Sequence, residues 1–509
     1  MDTVQEKQNI AQEIQTAVRH SAVYGLGNIL AKALGFFMLP FYTHYLNPTD
    51  YGILEILDLS MSLFGMFLNM GITAAVLRRY AGAESAEERK KTVSTAFLFV
   101  AATGLVVFFI GLMFVRPVTT LLFGPQIPAT YLLVSFAAFI LAFITNLPRT
   151  YLRALEASGA FVIVDTGSLF LLLALNVIFI AVFGMGLMGI LLSSLTVAAL
   201  QLVLLSAWTI RKVGIGFQMY LLWQMLAFGL PLIFSNLAVF ALNFSDRFFL
   251  QHLRSLETVG VYAVGYKFGY MLNYLLVQPF FVMWQSRMYI IHAQRDHKKI
   301  FGQFFMLYSL VLTYAALALS VMSPEIVQIM VGPKFSASQG VVPIVALAYV
   351  LYGVGYYAQV GMFVTNKTNL IGMIGVGAAL LNLSLNYFLI LQYGMLGAAW
   401  ATLLSFLAMG VANYWLSNRI YPLPLAVGRV IAAILFAASL YLFSWLLSPA
   451  LFWPRMLVKA CLLAVFPVVM WKSRILTEAE IGTLDSARAA AMSRATRMVG
   501  VFSKKAVSL

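Results

Sequence analysis

The chain has 509 residues, of which 62% are hydrophobic and only 10% charged. So few charges over such a length exclude a water-soluble globular protein. The formal net charge of +15 invites a nucleic-acid partner, but the cations sit in the gaps between apolar runs, where membrane topology places them, so nucleic acid is not expected.

Apolar runs of about 20 residues, each long enough for a ~30 Å hydrocarbon core, recur between residues 21 and 471. About 14 helical spans are expected. Barrel strands would read as alternating segments of about ten residues, and none are seen. The expected fold class is therefore all-α integral membrane. Residues 1–20 read as a cytoplasmic N-terminal segment. They are polar, carry both signs of charge (Glu6, Lys7, Glu13, Arg19) and lack the pattern of a cleaved leader.

The first span, 21–44, carries Lys32, with Asn28 four residues before it on the same face. A lysine at membrane depth costs a few kcal/mol or more and usually faces protein or water. We read Lys32 as lining a hydrophilic cavity. The competing readings are a snorkelling side chain or a structural pair with a buried carboxylate. A polar turn follows (Leu46-Asn-Pro-Thr-Asp-Tyr-Gly52). The second span, 52–76, carries Glu55 and Asp58 and ends at Arg78 and Arg79. Arg79, Arg149 and Arg153 mark cytoplasmic helix ends. They serve either as topology anchors or as a cationic mouth for an anionic lipid headgroup.

The seventh span, 221–246, carries Asn236, Asn243 and Asp246. The eighth, 260–284, carries Lys267 among Tyr262, Tyr266, Tyr270, Asn273 and Gln278. Spacings of three and four place those phenols and amides on one side of the helix. Such a stripe suits sugar hydroxyls, and a nearby lysine suits a phosphate. Asp58 and Asp246 are candidates for coupling to H+ or Na+, and equally for neutralising the lysines. Tyr349, Tyr352 and Tyr356 form a further stripe, either lining or packing. The tail 472–509 is basic, and Thr477-Glu-Ala-Glu480 has the form of a capping box.

Landmarks recur at one offset of 208 residues. Gly52 returns as Gly260, Lys90-Lys91 as Lys298-Lys299, Gly124-Pro125 as Gly332-Pro333, and Gly186 and Gly189 as Gly394 and Gly397. The repeat pairs an N-lobe, 21–210 (spans 1–6), with a C-lobe, 221–417 (spans 7–12). Residues 426–471 (spans 13–14) are an added pair. Six spans is an even number, so the halves run parallel, a known transporter plan with substrate bound between repeats. Of 33 Lys and Arg, 25 fall on one side by this topology. Arg116, Arg247, Arg254, Lys334 and Arg455 fall on the other. Both termini are thus expected in the cytoplasm.

No phosphate-binding glycine loop, metal-ligand spacing or nucleophile–base constellation is present. The single Cys461 rules out an internal disulfide. The short external loops argue against a glycosyltransferase or polymerase. No cofactor is expected beyond a coupling H+ or Na+.

Gly27-Asn-Ile-Leu-Ala-Lys-Ala-Leu-Gly-Phe-Phe-Met-Leu-Pro-Phe-Tyr-Thr-His-Tyr-Leu-Asn-Pro-Thr-Asp-Tyr-Gly52 resembles the opening of bacterial O-antigen and polysaccharide flippases. So do Tyr151-Leu-Arg-Ala-Leu-Glu156, Phe228-Gly-Leu-Pro231, Ser245-Asp-Arg-Phe-Phe249 and Val259-Gly-Val-Tyr-Ala263. The superfamily also holds drug exporters and lipid II flippases. The resemblance implies a V-shaped pair of six-helix lobes with a central cavity lined partly by spans 1, 2, 7 and 8. It implies translocation of a polyprenyl-pyrophosphate-linked oligosaccharide across a bacterial inner membrane. Membrane lipids are expected partners, and polymerases and glycosyltransferases are candidate docking partners. Lys32-Ala-Leu-Gly-Phe36 is similar to the Arg-x-Leu-Gly-Phe of lipid II flippases, but Met38-Leu39 stand where those carry Arg-Asp. The cavity residues expected are Lys32, Lys267, Asn28, Tyr266, Tyr270, Asn273, Arg79 and Arg153. A drug or cation exporter of the same fold is the alternative, and it would want a net-acidic cavity.

Overall fold

The computed structural model describes residue 36 and residues 38–447, 451–473, 475–477, 480 and 482. Among the described residues every regular element is helical. In order they are α1 (Leu39–Tyr45), α2 (Pro48–Asn69), α3 (Ile72–Gly82), α4 (Ala86–Phe123), α5 (Ala129–Ala154) and α6 (Ser158–Asn176). A π-turn, Val177–Val182, then leads to α7 (Gly186–Val213), α8 (Met219–Leu253) and α9 (Leu256–Leu272). A second π-turn, Asn273–Val277, leads to α10 (Gln278–His292) and α11 (His297–Met330). After a 3-10 turn, Pro333–Gly340, come α12 (Val341–Tyr357), α13 (Val360–Val364), α14 (Thr368–Tyr393), α15 (Met395–Ile420), α16 (Val427–Leu446) and α17 (Phe452–Lys472).

Eleven of the described helices are long and apolar enough to cross a membrane, or twelve if the two arms of α8, bent by 49°, count as one span. Two of the expected spans have no counterpart in that set. The first, 21–44, falls largely outside the described residues. The eighth, 260–284, is interrupted by the Asn273–Val277 π-turn just before Pro279. Proline has no N–H to donate one turn back, and a local π-turn is a common way round such a gap. The expected span 52–76 is also two elements. Asn47 caps α2 by accepting the Asp50 N–H at 2.7 Å. The helix then stops at Met70 and Gly71, both at positive φ. A Cβ on Gly71 would run into the backbone of Gly229 on α8, and one on Gly229 would meet Met70 and Gly71 in return.

The outward side chains agree with a lipid setting. Along α4, Leu105, Val106, Phe109, Ile110 and Met113 are all exposed, a row that water would penalise and hydrocarbon does not. With 38 residues, α4 is about 57 Å long at 1.5 Å per residue, so it extends well past the hydrocarbon.

The chain divides into two compact units. One holds the described part of Met1–Tyr266 with Ile326–Val341 and Gly375–Ser405. The other holds Lys267–Glu325, Val342–Ile374 and the described part of Phe406–Leu509. The first has a core in which Val93, Ala96, Phe97 and Val100 of α4 meet Phe136, Ile140, Phe143, Ile144 and Leu147 of α5. The three-and-four spacing is that of one helix face. In the second unit Phe301, Phe305 and Tyr308 of α11 pack with Trp284 and Tyr357, whose hydroxyl donates to the Phe301 carbonyl at 2.9 Å. There α17 is clasped to α11. Buried Lys459 donates to both oxygens of buried Glu325, at 2.7 and 2.6 Å, and Arg455 stands 3.9 Å away. The tail begins with the expected capping box. The Thr477 N–H donates to Glu480 at 2.7 Å, the Glu480 N–H returns to the Thr477 hydroxyl at 3.4 Å, and Arg429 of α16 grips the same carboxylate.

The 208-residue offset is visible in the backbone. Gly124 has φ 80 and ψ 173, and Gly332 has φ 78 and ψ 174. Gly186 and Gly394 share φ values of 52 and 57. Within the first unit, Gly52 of α2 and Gly260 of α9 face each other. A Cβ on Gly52 would strike the Leu256 carbonyl, and one on Gly260 would strike the Pro48 carbonyl. Residues 48 and 256 are themselves one offset apart, so the contact is reciprocal.

Candidate functional site

The glycine contact brings α2 against α9, and α8 completes a buried polar cluster. From α2 comes Glu55, three residues after Gly52. From α9 come Tyr262 and Tyr266. From α8 come Asn243, Asp246 and Arg247. Arg247 is 1% exposed and Asp246 2%. The Arg247 guanidinium donates to Asp246 Oδ1 at 2.6 Å and to the Asn243 carbonyl at 3.0 Å. The Tyr262 hydroxyl donates to the other Asp246 oxygen at 2.5 Å. The guanidinium carbon, Cζ, lies 3.8 Å over the Tyr266 ring centre, a contact that favours arginine over lysine. Its Nε stands 4.0 Å from Glu55 Oε1. That is an ion pair without a hydrogen bond, and the buried Nε has no hydrogen-bond acceptor.

Two carboxylates thus approach one guanidinium in a buried place. Taking each ion out of water costs several kcal/mol, which only close, well-satisfied geometry offsets. Asp246 has that geometry. Glu55 approaches the guanidinium at the longer distance of 4.0 Å. One residue before Asp246, Ser245 donates to Asn382 of α14 at 3.3 Å, and Asn386 donates to Asn382 at 2.8 Å. Both asparagines are fully buried.

Arg247 corrects the sequence reading. The sequence places it in an outer loop because the apolar run ends at residue 246. The helix continues to Leu253, and the guanidinium lies inside the protein. Tyr266, expected to line a cavity, closes over Arg247 with 1% exposure, so Tyr262 and Tyr266 are not part of a wet stripe. The adjoining Lys267 is exposed, about 100° further round the helix. Tyr270 packs edge-on against Tyr274 and tilts against Tyr349. Asn273 opens the π-turn, buried, with its Oδ1 lacking a hydrogen-bond partner. Asp58 is exposed and lies outside the Arg247 cluster, where Glu55 stands instead. Arg79 pairs with Glu88 at 3.0 Å and hydrogen-bonds Gln224. Arg153 donates to Thr150 at 3.1 Å. Nearby, Arg149 bridges Gln201 at 2.7 Å and Asp165 at 3.6 Å. Asn28 and Lys32 lie outside the described residues.

Residues 17–283 match the family model described as polysaccharide biosynthesis protein. The chain belongs to that family. The matched segment ends within α10 and includes every member of the Arg247 cluster. No curated sequence matches this polysaccharide biosynthesis protein. Among solved structures it is similar to lipid II flippase MurJ in an inward closed conformation. The identity is 13%, the TM-score 0.68, and the match covers 90% of this chain and 100% of that one. It is also similar to a multidrug resistance MATE family transporter of the MOP superfamily in an inward-facing conformation. There the identity is 14% and the TM-score 0.58, with 79% of this chain and 95% of that one covered. At such identities the likeness is one of fold. The polysaccharide biosynthesis protein therefore has a multi-pass helical fold shared by flippases and exporters.

Proposed function

We propose that this protein is a flippase. It moves a polyprenyl-pyrophosphate-linked oligosaccharide from the cytoplasmic to the outer leaflet of a bacterial inner membrane by alternating access, with both termini in the cytoplasm. The observation that carries this reading is the conjunction of family and fold: a polysaccharide biosynthesis protein folded over 90% of its length like a lipid II flippase. The protein changes no covalent bond in this reading. Lys32 and Lys267 hold the pyrophosphate as point charges. Asp246 or Asp58 couples the cycle to H+ or Na+.

The test is the sidedness of lipid-linked glycan in cells lacking the protein, read in spheroplasts with an impermeant lectin or glycosidase. The expected result is an intact repeat unit confined to the cytoplasmic leaflet. Glycan that reaches the outer leaflet unpolymerised overturns the reading in favour of an enzyme. Unchanged glycan with raised drug sensitivity overturns it in favour of an exporter.

A further inference from the structure

The second unit contains an open pocket of about 150 Å³. Its polar lining is Gln278, Gln285, Tyr352 and Tyr356, and Phe281 with two valines forms the rest. Gln278 and Gln285 are seven residues apart, two turns of α10, so they share a face. Tyr352 and Tyr356 share a face of α12 in the same way. The π-turn before Pro279 sets the register of that α10 face. Gln285 and Tyr356 face each other across the pocket. The Tyr356 ring lies 4.1 Å from Phe281 and 6.1 Å from Tyr352. Glycines on α12 let neighbouring groups come close. Gly355 packs on Gly410, and Gly353 leaves room for the Tyr308 hydroxyl.

Three properties narrow the ligand. The volume is below the ~300–1,000 Å³ of pockets that take drug-sized molecules, so it fits a single ring. The primary amides each present donors and an acceptor side by side, a match for vicinal hydroxyls or an acetamido group. No residue lining it carries a charge, so an ionised ligand entering it would be desolvated without a partner. The aromatic planes offer a surface for the C–H face of a sugar.

We propose that this pocket holds one uncharged pyranose of the transported glycan and discriminates against a uronic acid at that position. The proposal rests on the flippase reading. The test uses the purified full chain in lipid nanodiscs, probed by saturation-transfer NMR with methyl N-acetylglucosaminide and, separately, with methyl glucuronide. Transfer is expected to the first sugar and about fivefold less to the second. Gln285→Ala and Tyr356→Phe each weaken transfer from the neutral sugar about three- to tenfold, the worth of one hydrogen bond. No transfer to either sugar, a preference for the glucuronide, or full transfer in both variants overturns the proposal. The sugar contrast in the unmodified protein decides even if a variant fails to fold. Flipping is measured separately by leaflet sidedness. Sugar contact with normal sidedness in the deletion strain removes the flippase reading and keeps the pocket. A flipping defect in that strain with no sugar contact does the reverse.

Discussion

Arg247 holds its cluster together by charge and by shape. Replacing it with methionine takes the guanidinium away from buried Asp246, a change that typically costs about 3–5 kcal/mol in a buried site. Arg247→Lys keeps the charge but loses the flat contact with Tyr266, so it should fall between. The expected order of thermal stability in detergent, followed by tryptophan fluorescence, is wild type, then lysine, then methionine. Adding Glu55→Gln and Asp246→Asn to Arg247→Met should restore part of the loss. Equal stability of all variants would mean that the cluster is not stabilising. At this scale the sequence was only half legible. Asp246 stood out as a carboxylate in an apolar run. Arg247 did not, because an apolar run can end before its helix does, and a cation beyond the run reads as a loop anchor. Nor could helical spacing alone separate Glu55 from Asp58. They lie on one stripe, and only the approach of α8 and α9 decides which of them is buried.

Between elements, close backbone contact makes the glycines sensitive. A Cβ at Gly52 or Gly260 enters a carbonyl of the facing helix, so Gly52→Ala and Gly260→Ala should each destabilise by about 1–3 kcal/mol. Both substitutions push apart the same pair of helices. The double variant should therefore cost less than the two single costs added, a coupling that a double-mutant cycle measures. Strict additivity would mean that the two glycines do not act on one contact. The clasp of α17 onto α11 behaves differently. Lys459→Met leaves Glu325 buried with only Arg455 at 3.9 Å, and pairing it with Glu325→Leu should recover most of the lost stability. The same thermal scan checks this. Among the described residues, the long helices were readable from apolar runs. The breaks at Gly71 and before Pro279 were not, because each depends on a neighbour or on a missing N–H rather than on hydropathy.

For the whole molecule, the repeat makes a topological prediction. If both copies run in the same direction, Lys90 and Lys298 lie on one side of the membrane. With the exposed Cys461 changed to Ser, single cysteines at positions 90 and 298 should both react with an impermeant maleimide in inside-out vesicles and neither in intact spheroplasts. Labelling of one from each side would refute the parallel arrangement. The fold class was legible from composition alone. What composition could not give was the inward turn of Tyr262 and Tyr266, since a phenol stripe looks the same whether it faces water or a buried guanidinium.

The reciprocal meeting of Gly52 and Gly260 also speaks to ancestry. Picture the two halves as separate, identical chains paired about a two-fold axis. One glycine would then occupy both places and touch its own copy, and one preceding-turn carbonyl would limit both. A self-complementary dimer of half-length chains needs only one such residue to close its interface. Duplication and fusion of such a chain would turn that single requirement into two, written in separate places and free to drift, yet each still held to glycine by the backbone opposite.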